Sequence, residues 1–215
     1  MENKFQASVF ISASIQEPGA TGTEYDVDKL SLRHALIACI ESIFAYTDYR
    51  VIWGGHPTIT NLIAYILKTS YGLNLKEEPL SPQAERIKSR LFLYQSAYFK
   101  SNYPIENKLF NVVEVAAENT RDASLTSMRN CMLGSEQNIV LGIFMGGKRE
   151  GLSEEFNILR SNHSSAVILP LSKTGGYSAE LLYTQKLKLS KYLYDLCDSY
   201  RFYDIFETLN FNHFN

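Results

Sequence analysis

The run Ile139-Val140-Leu141-Gly142-Ile143-Phe144-Met145, closed by Gly146-Gly147, constrains the fold more than any other segment. It holds no polar side chain and no alternation, so an extended chain here must be covered on both faces. It is too short to span a bilayer as a helix, and it stops at a glycine pair. A strand buried on both sides belongs to a parallel sheet packed between helices.

The rest of the chain repeats that pattern. Ala7–Ser12, Tyr49–Trp53, Leu91–Tyr94, Phe110–Val115 and Ala166–Leu171 read as further strands. Asp28 is placed to cap a helix in which Leu30, Leu32, Leu36, Ile37, Ile40, Ile43 and Phe44 recur at helical spacing. Pro57 opens a second helix with Ile59, Leu62, Ile63, Ile66 and Leu67 on one face. Asp122 to Leu133 and Ser153 to Leu159 read as helices, with Ser153 as a candidate cap. A long helical segment is expected over residues 178–209. A loop is expected around Gly19 and Gly22; residues 72–90, polar and containing Pro79 and Pro82, read as a loop and a short helix, and residues 95–108 as irregular. Strands alternating with helices predict an α/β fold: a Rossmann-like open parallel sheet with helices on both faces. No repeat or linker divides the chain, so residues 1–215 are expected to form a single domain.

Charge excludes one class of partner. Lys+Arg is 21 against Asp+Glu 23, a formal net charge of -2. A nucleic-acid binder needs a basic surplus for its phosphate contacts, so no nucleic acid is expected. A small anionic ligand needs only a few local donors and stays open. Cys39, Cys131 and Cys197 are too widely spaced for a zinc site, and an odd number makes a poor disulfide framework. All three are expected as buried thiols in a reducing compartment. No metal-ligand pattern appears, and neither a metal nor a cofactor is expected. No signal-peptide pattern and no long apolar run are present, which gives a cytoplasmic expectation with no membrane partner.

The chemistry is expected where the strands end. Ser12-Ala13-Ser14, Gly54-Gly55 and Gly146-Gly147 each precede a helix, and Thr174-Gly175-Gly176 follows the last strand. In an open parallel sheet the carboxyl ends of the strands form the ligand crevice. Glycines there bring backbone N–H groups close to a phosphate, and helix N-termini favour anions. Ser12, Ser14, Gly54, Gly55, His56, Gly146, Gly147, Thr174, Gly175 and Gly176 are therefore candidate ligand contacts. Lys148, Arg149, Arg121 and Arg129 are candidate anion contacts, although an arginine on a helix is commonly only a surface residue. Glu154 and Glu155 serve either as first-turn carboxylates favoured by the helix dipole or as crevice groups that hold a ribose or move a proton.

These residues resemble the LOG/SLOG superfamily. The order is a small-residue strand end, then Val51-Ile52-Trp53-Gly54-Gly55-His56, then a helix with Met128-Arg129, then Gly146-Gly147 with Gly151 and Glu154-Glu155. The founding "lonely guy" enzymes are cytokinin-activating phosphoribohydrolases. They carry a glycine-ended strand, an arginine-bearing helix and a Pro-Gly-Gly-x-Gly-Thr-x-x-Glu loop. By that resemblance Arg129 matches the helical arginine, and Gly146, Gly147 and Gly151 match the loop glycines. Glu154 or Glu155 matches the glutamate, and Gly54 and Gly55 match the second glycine cluster. Met145 stands where the family has proline, Leu152 replaces the threonine, and two further residues lengthen the loop before Gly151. The longer loop looks more like the SLOG branch associated with Sir2 and TIR domains, implicated in sensing nucleotide-derived signals in antiphage defence. That resemblance implies a cyclic ADP-ribose-type ligand, a homodimer or higher homo-oligomer, and a TIR or Sir2-type effector.

Two functions use the same residues. In a sensor, glycine amides cradle phosphates, Lys148, Arg149 and Arg129 neutralise them, and a glutamate holds ribose hydroxyls. In a hydrolase of nucleoside 5'-monophosphates, Glu155 and Arg129 are the catalytic candidates: a glutamate stabilises an oxocarbenium-like centre or activates water, while the arginine holds the 5'-phosphate. The altered loop inclines the reading to the sensor, so an enzyme is the alternative. Aromatic residues reach 13%, with many in the last part of the chain, where they read as packing or a subunit interface. Tyr177, beside Gly175-Gly176, is the aromatic expected to stack on a base.

Overall fold

The computed structural model describes residues 7–15, 26–73 and 80–209. The expectations placed on Gly19, Gly22 and Pro79 lie outside these residues. Six strands form one parallel sheet: β1 (Ser8–Ser14), β2 (Arg50–Gly54), β3 (Leu91–Ser96), β4 (Asn111–Val115), β5 (Ile139–Gly146) and β6 (Val167–Leu171). Their spatial order is β4-β3-β2-β1-β5-β6. The chain steps outward from β1 to β4, then crosses back to lay β5 on the free side of β1. The direction of winding reverses between β1 and β5, and at such a point the connections leave in opposite directions and open a crevice.

Alternation along the strands supplies two cores. Val9, Ile11, Val51, Trp53, Leu141, Ile143 and Met145 face α1 (Lys29–Tyr46) and α2 (Pro57–Tyr71). Phe10, Ile52, Phe144 and Ile168 face the opposite layer. That layer holds α4 (Arg121–Met132), α5 (Arg149–Asn162) and α6 (Gly176–Thr184), which contribute Met128 and Met132, Leu152 and Phe156, and Tyr177 and Leu181. A short α3 (Pro82–Lys88) precedes β3, and two 3-10 turns, Ala97–Asn102 and Ile105–Leu109, fill the irregular stretch before β4. Helix starts follow local chemistry. The Asp28 carboxylate accepts from Leu30 N and Ser31 N at α1, and Thr120 Oγ1 accepts from Ala123 N at α4.

Several expectations are corrected. The C-terminal segment is three helices: α6, α7 (Lys191–Cys197) and α8 (Phe202–Thr208). Between α6 and α7, Leu187 and Leu189 pack on the core while Lys186 and Lys188 are exposed. A period of two suits extended chain, not helix. Ser190 then caps α7 by accepting from Leu193 N. The aromatics divide accordingly. Phe202 and Phe206 are buried, whereas Tyr183, Tyr192, Tyr200 and Tyr203 are exposed. Cys39 and Cys197 are buried thiols as expected, but Cys131 is exposed on α4. Helix α5 begins at Arg149, not Ser153. Ser153 therefore caps nothing: its hydroxyl donates to Glu150 O inside the helix.

Two glycine pairs interlock at the crevice. Gly146 (φ 59), Gly147 (φ 79), Gly175 (φ 71) and Gly176 (φ 60) all occupy the left-handed region. Gly146 N donates to Thr174 Oγ1 (2.8 Å) and to Ser178 Oγ (3.1 Å). Tyr177 N donates to Gly147 O (2.9 Å), and Gly176 N donates to Asp26 O (3.1 Å). A Cβ on Gly176 would lie 2.5 Å from the Gly146 carbonyl carbon. Gly176→Ala is therefore expected to cost about 2–4 kcal/mol of unfolding free energy in urea titration. Gly72→Asn is the control. Gly72 has φ 67 with nothing within 4 Å of a Cβ, so this change should cost under about 1 kcal/mol.

Candidate functional site

A polar cluster sits among the apolar contacts of the α4–α5 layer, at the carboxyl end of β1. The pairing of Ile11 with Trp53 brings the next residues, Ser12 and Gly54, to one level. Ser12 Oγ donates to Glu155 Oε2 at 2.5 Å. Arg129, from α4, reaches Glu155 Oε1 through Nε (3.4 Å) and Glu154 Oε2 through Nη1 (2.5 Å). Thr126, one turn earlier on α4, donates to Glu154 Oε1 at 2.6 Å. One guanidinium thus bridges two carboxylates, each held by a second hydroxyl donor.

Helix geometry places these groups. Because α5 starts at Arg149, Glu154 and Glu155 lie in its second turn rather than its first. The dipole reading of the pair is therefore replaced by a specific one: both carboxylates turn toward α4. Gly151 falls in the first turn of α5, where glycine costs helix stability. A Cβ there would stand 3.1 Å from Arg129 Nη2, so its absence admits the guanidinium. A Cβ on Gly54 would contact Met128 Cε at 3.3 Å, and one on Gly55 would overlap the Gln95 carboxamide at 2.1 Å. The second glycine pair is thus needed for packing.

Burial sorts the two glutamates. The Glu155 side chain is 14% exposed and that of Arg129 15%, while Glu154, nearer the rim, is 29% exposed. Loss of solvent pushes the Glu155 carboxyl above the usual carboxylate range. Arg129 and the Ser12 hydroxyl pull it back, and the Glu154 charge adds to the rise. Burial wins because a single cation is shared between two acids.

The other candidate residues take distinct places. Lys148 is the N-cap of α5 and is exposed, and its side chain makes no capping hydrogen bond. His56 occupies the same position on α2, also with no side-chain cap. Both helix starts lie at the carboxyl edge of the sheet. Arg149 is bound to Glu180 through Nη1 (2.6 Å) and Nη2 (2.7 Å). Its guanidinium lies 5.3 Å from the Tyr177 ring centroid. The Tyr177 ring is buried at 6% exposure with Arg149 over it, so in this conformation it presents no open face to a base. Arg121, the first residue of α4, is exposed and paired with Asp122 at 3.0 Å. It stands about two turns, or ~12 Å along the helix, from Arg129 and is not brought to the cluster.

The glycine amides are committed to the protein itself. Besides the Gly146 and Gly176 bonds, Gly147 N donates to Ser14 O (3.0 Å), Gly55 N to Tyr94 O (2.9 Å), His56 N to Gly54 O (2.8 Å) and Gly175 N to Ser172 O (2.9 Å). Neither the α5 N-terminus, at Lys148, nor the α2 N-terminus, at His56, is closed by a side-chain cap hydrogen bond. Among the described residues no group of three or more His, Cys, Asp or Glu is placed to hold a metal. No described helix is long and apolar enough to cross a membrane.

Sequence reasoning missed Thr126, Gln95 and Glu180. Thr126 was findable, since three residues before Arg129 on a helix means the same face. Gln95 and Glu180 carried no local signal, because their partners are distant in sequence.

An open parallel sheet with helices on both faces, and with a charged, half-enclosed cluster beside its point of reversal, defines a Rossmann-like α/β domain. The sequence profile of the SLOG cluster3 family matches residues 24–209, and the chain belongs to that family. No curated protein and no solved structure matches the chain.

The raised Glu155 carboxyl has a definite consequence. Its folded pKa lies above its unfolded one, so the folded state binds more protons between the two values. Stability therefore falls as pH rises through that window. Glu155→Gln removes the buried charge and leaves Arg129 its Glu154 partner. The variant is expected to melt higher than the parent at pH 7.5, with the gain shrinking as pH is lowered toward 4, when the two are compared by calorimetry.

Proposed function

We propose that this SLOG domain senses a nucleotide-derived signal, of the cyclic ADP-ribose type or a relative, at the carboxyl end of its sheet. The observation that carries the reading is the Ser12–Glu155–Arg129–Glu154 cluster at the reversal between β1 and β5. Carboxylates fixed this firmly are acceptors for vicinal ribose hydroxyls, because their geometry costs no further ordering when a ligand arrives. Ligand phosphates belong at the α5 N-terminus with Lys148, where the amides point outward and the helix dipole favours negative charge. Arg129 acts by aiming the glutamates, not by meeting a phosphate, since both of its acidic partners are already in place.

The signal passes onward if the ligand binds one conformation better than another. A homo-oligomer and a TIR or Sir2-type effector are the partners this reading calls for, within bacterial antiphage defence. The exposed tyrosines of α6, α7 and α8 offer a surface for such contacts.

One observation favours a second reading. A glutamate whose proton is held above the usual range, with an arginine on its flank, is also the equipment of an N-glycoside hydrolase. Incubation with AMP, NAD, ADP-ribose and cyclic ADP-ribose isomers, following melting temperature and free base together, separates the two. The sensor reading expects a cyclic isomer to raise the melting temperature and to be recovered unchanged. A saturating excess of 100 times Kd contributes about 2.7 kcal/mol. Ser12→Ala should weaken that shift through loss of the Glu155 anchor. Adenine released from AMP by the parent but not by Glu155→Gln would replace the sensor with the hydrolase.

A further inference from the structure

The Arg149–Glu180 pair has no part in the cluster above, yet it occupies the rim of the same crevice. Arg149 is the first residue of α5, the place where the proposed reading seats ligand phosphates. Its two terminal nitrogens face the two Glu180 oxygens at 2.6 and 2.7 Å, a fork-on-carboxylate geometry. The Glu180 side chain is 20% exposed and that of Arg149 is 47% exposed, so the acid is the more enclosed partner and the arginine the one a solute meets first. Beneath the guanidinium lies the Tyr177 ring, which completes a stack of α5 on α6. The α6 backbone is tied independently to the loop before α5, through Tyr177 N on Gly147 O and the Ser178 hydroxyl under Gly146 N.

We infer that Glu180 is an autoinhibitory carboxylate: it holds Arg149 away from an anionic ligand group, which must displace it to bind with full affinity. The inference rests on the sensor reading only for where the anion sits. A carboxylate and a phosphate oxygen present the same planar acceptor edge to a guanidinium, so the two compete for one fork. The rest of α6 stays anchored while the exchange occurs, because its backbone bonds do not involve Arg149. In the occupied state Glu180 loses this partner and Tyr177 loses its cover. The first turns of α6 therefore register the arrival of the anion, and α6 continues toward the exposed Tyr183.

The test is a double-mutant cycle by isothermal titration calorimetry, with inorganic pyrophosphate and ADP-ribose as separate probes. The proteins are the parent, Glu180→Gln, Arg149→Gln and the double variant. Glu180→Gln keeps the shape and removes the competing charge, so it is expected to bind pyrophosphate about fivefold more tightly, as for a partly exposed ion pair. Arg149→Gln should weaken binding, and adding Glu180→Gln to it should restore nothing, since the acid acts only through the arginine. The ring proton NMR signals of Tyr177, which loses its guanidinium cover, should shift on pyrophosphate binding in the parent but not in Arg149→Gln. Equal affinity in the parent and Glu180→Gln overturns the inference, and so does tightening that survives in the double variant. Pyrophosphate binding that follows the cycle while ADP-ribose fails to bind leaves the inference standing and removes the nucleotide reading. Binding of neither probe to any of the proteins removes both.

Discussion

The close approach of two loops at the carboxyl edge is the constraint on which the rest depends. The turn after β5 and the turn before α6 touch backbone to backbone, with Gly146 and Gly147 on one side and Gly175 and Gly176 on the other. A side chain on Gly176 would strike the opposite carbonyl, and all four residues have positive φ. This contact sets where α5 begins. The start of α5 in turn fixes the rotation that carries Glu154 and Glu155 toward α4. A junction that looks from composition like a phosphate cradle is therefore first a packing device, and its amides are engaged before any ligand arrives.

Electrostatics then decides the character of the crevice. Burying a carboxylate is expensive unless it is paired and hydrogen-bonded. Glu155 has both kinds of partner, a hydroxyl from β1 and a guanidinium from α4, but it shares the guanidinium with Glu154. The shared cation leaves the Glu155 carboxyl above its usual range, a cost built into the fold at one place. Such local costs gather where a protein meets a ligand, because a group already desolvated and oriented loses little more on binding. The other positive charges at this edge stand apart from the Arg129 centre. Lys148 stands at the open start of α5, and Arg149 is turned to Glu180. The carboxyl edge thus carries its acidic pair inside and its remaining basic groups at the start of α5.

Much of this was legible in the chain, for identifiable reasons. The unbroken apolar run of β5 demanded cover on both faces, and the parallel sheet followed. Arg129 and the two glutamates were each singled out by resemblance to the SLOG pattern, and the structure shows that they pair, with Glu155 buried on Ser12 and Glu154 outside it on Thr126. Two readings went astray where the local signal did not set the bounds of the element. Ser153 has the residue type of a cap, yet α5 already starts at Arg149, one turn earlier. The C-terminal stretch has helix formers, yet the Leu187 and Leu189 alternation docks it as extended chain. Arg121, a candidate anion contact by residue type, stands exposed beside Asp122 and away from the Arg129 cluster.

The sequence alone determined the class of architecture and the family, and nominated candidate site residues, because hydrophobic periodicity and residue type are local properties readable in one dimension. Only the tertiary structure decided how those residues are engaged. Whether a glycine amide faces a ligand or a neighbouring carbonyl, whether Arg149 is open or bound to Glu180, and which glutamate is desolvated all depend on distances between segments remote in the chain. Those distances are set by backbone contacts at the carboxyl edge and by the cost of burying charge there.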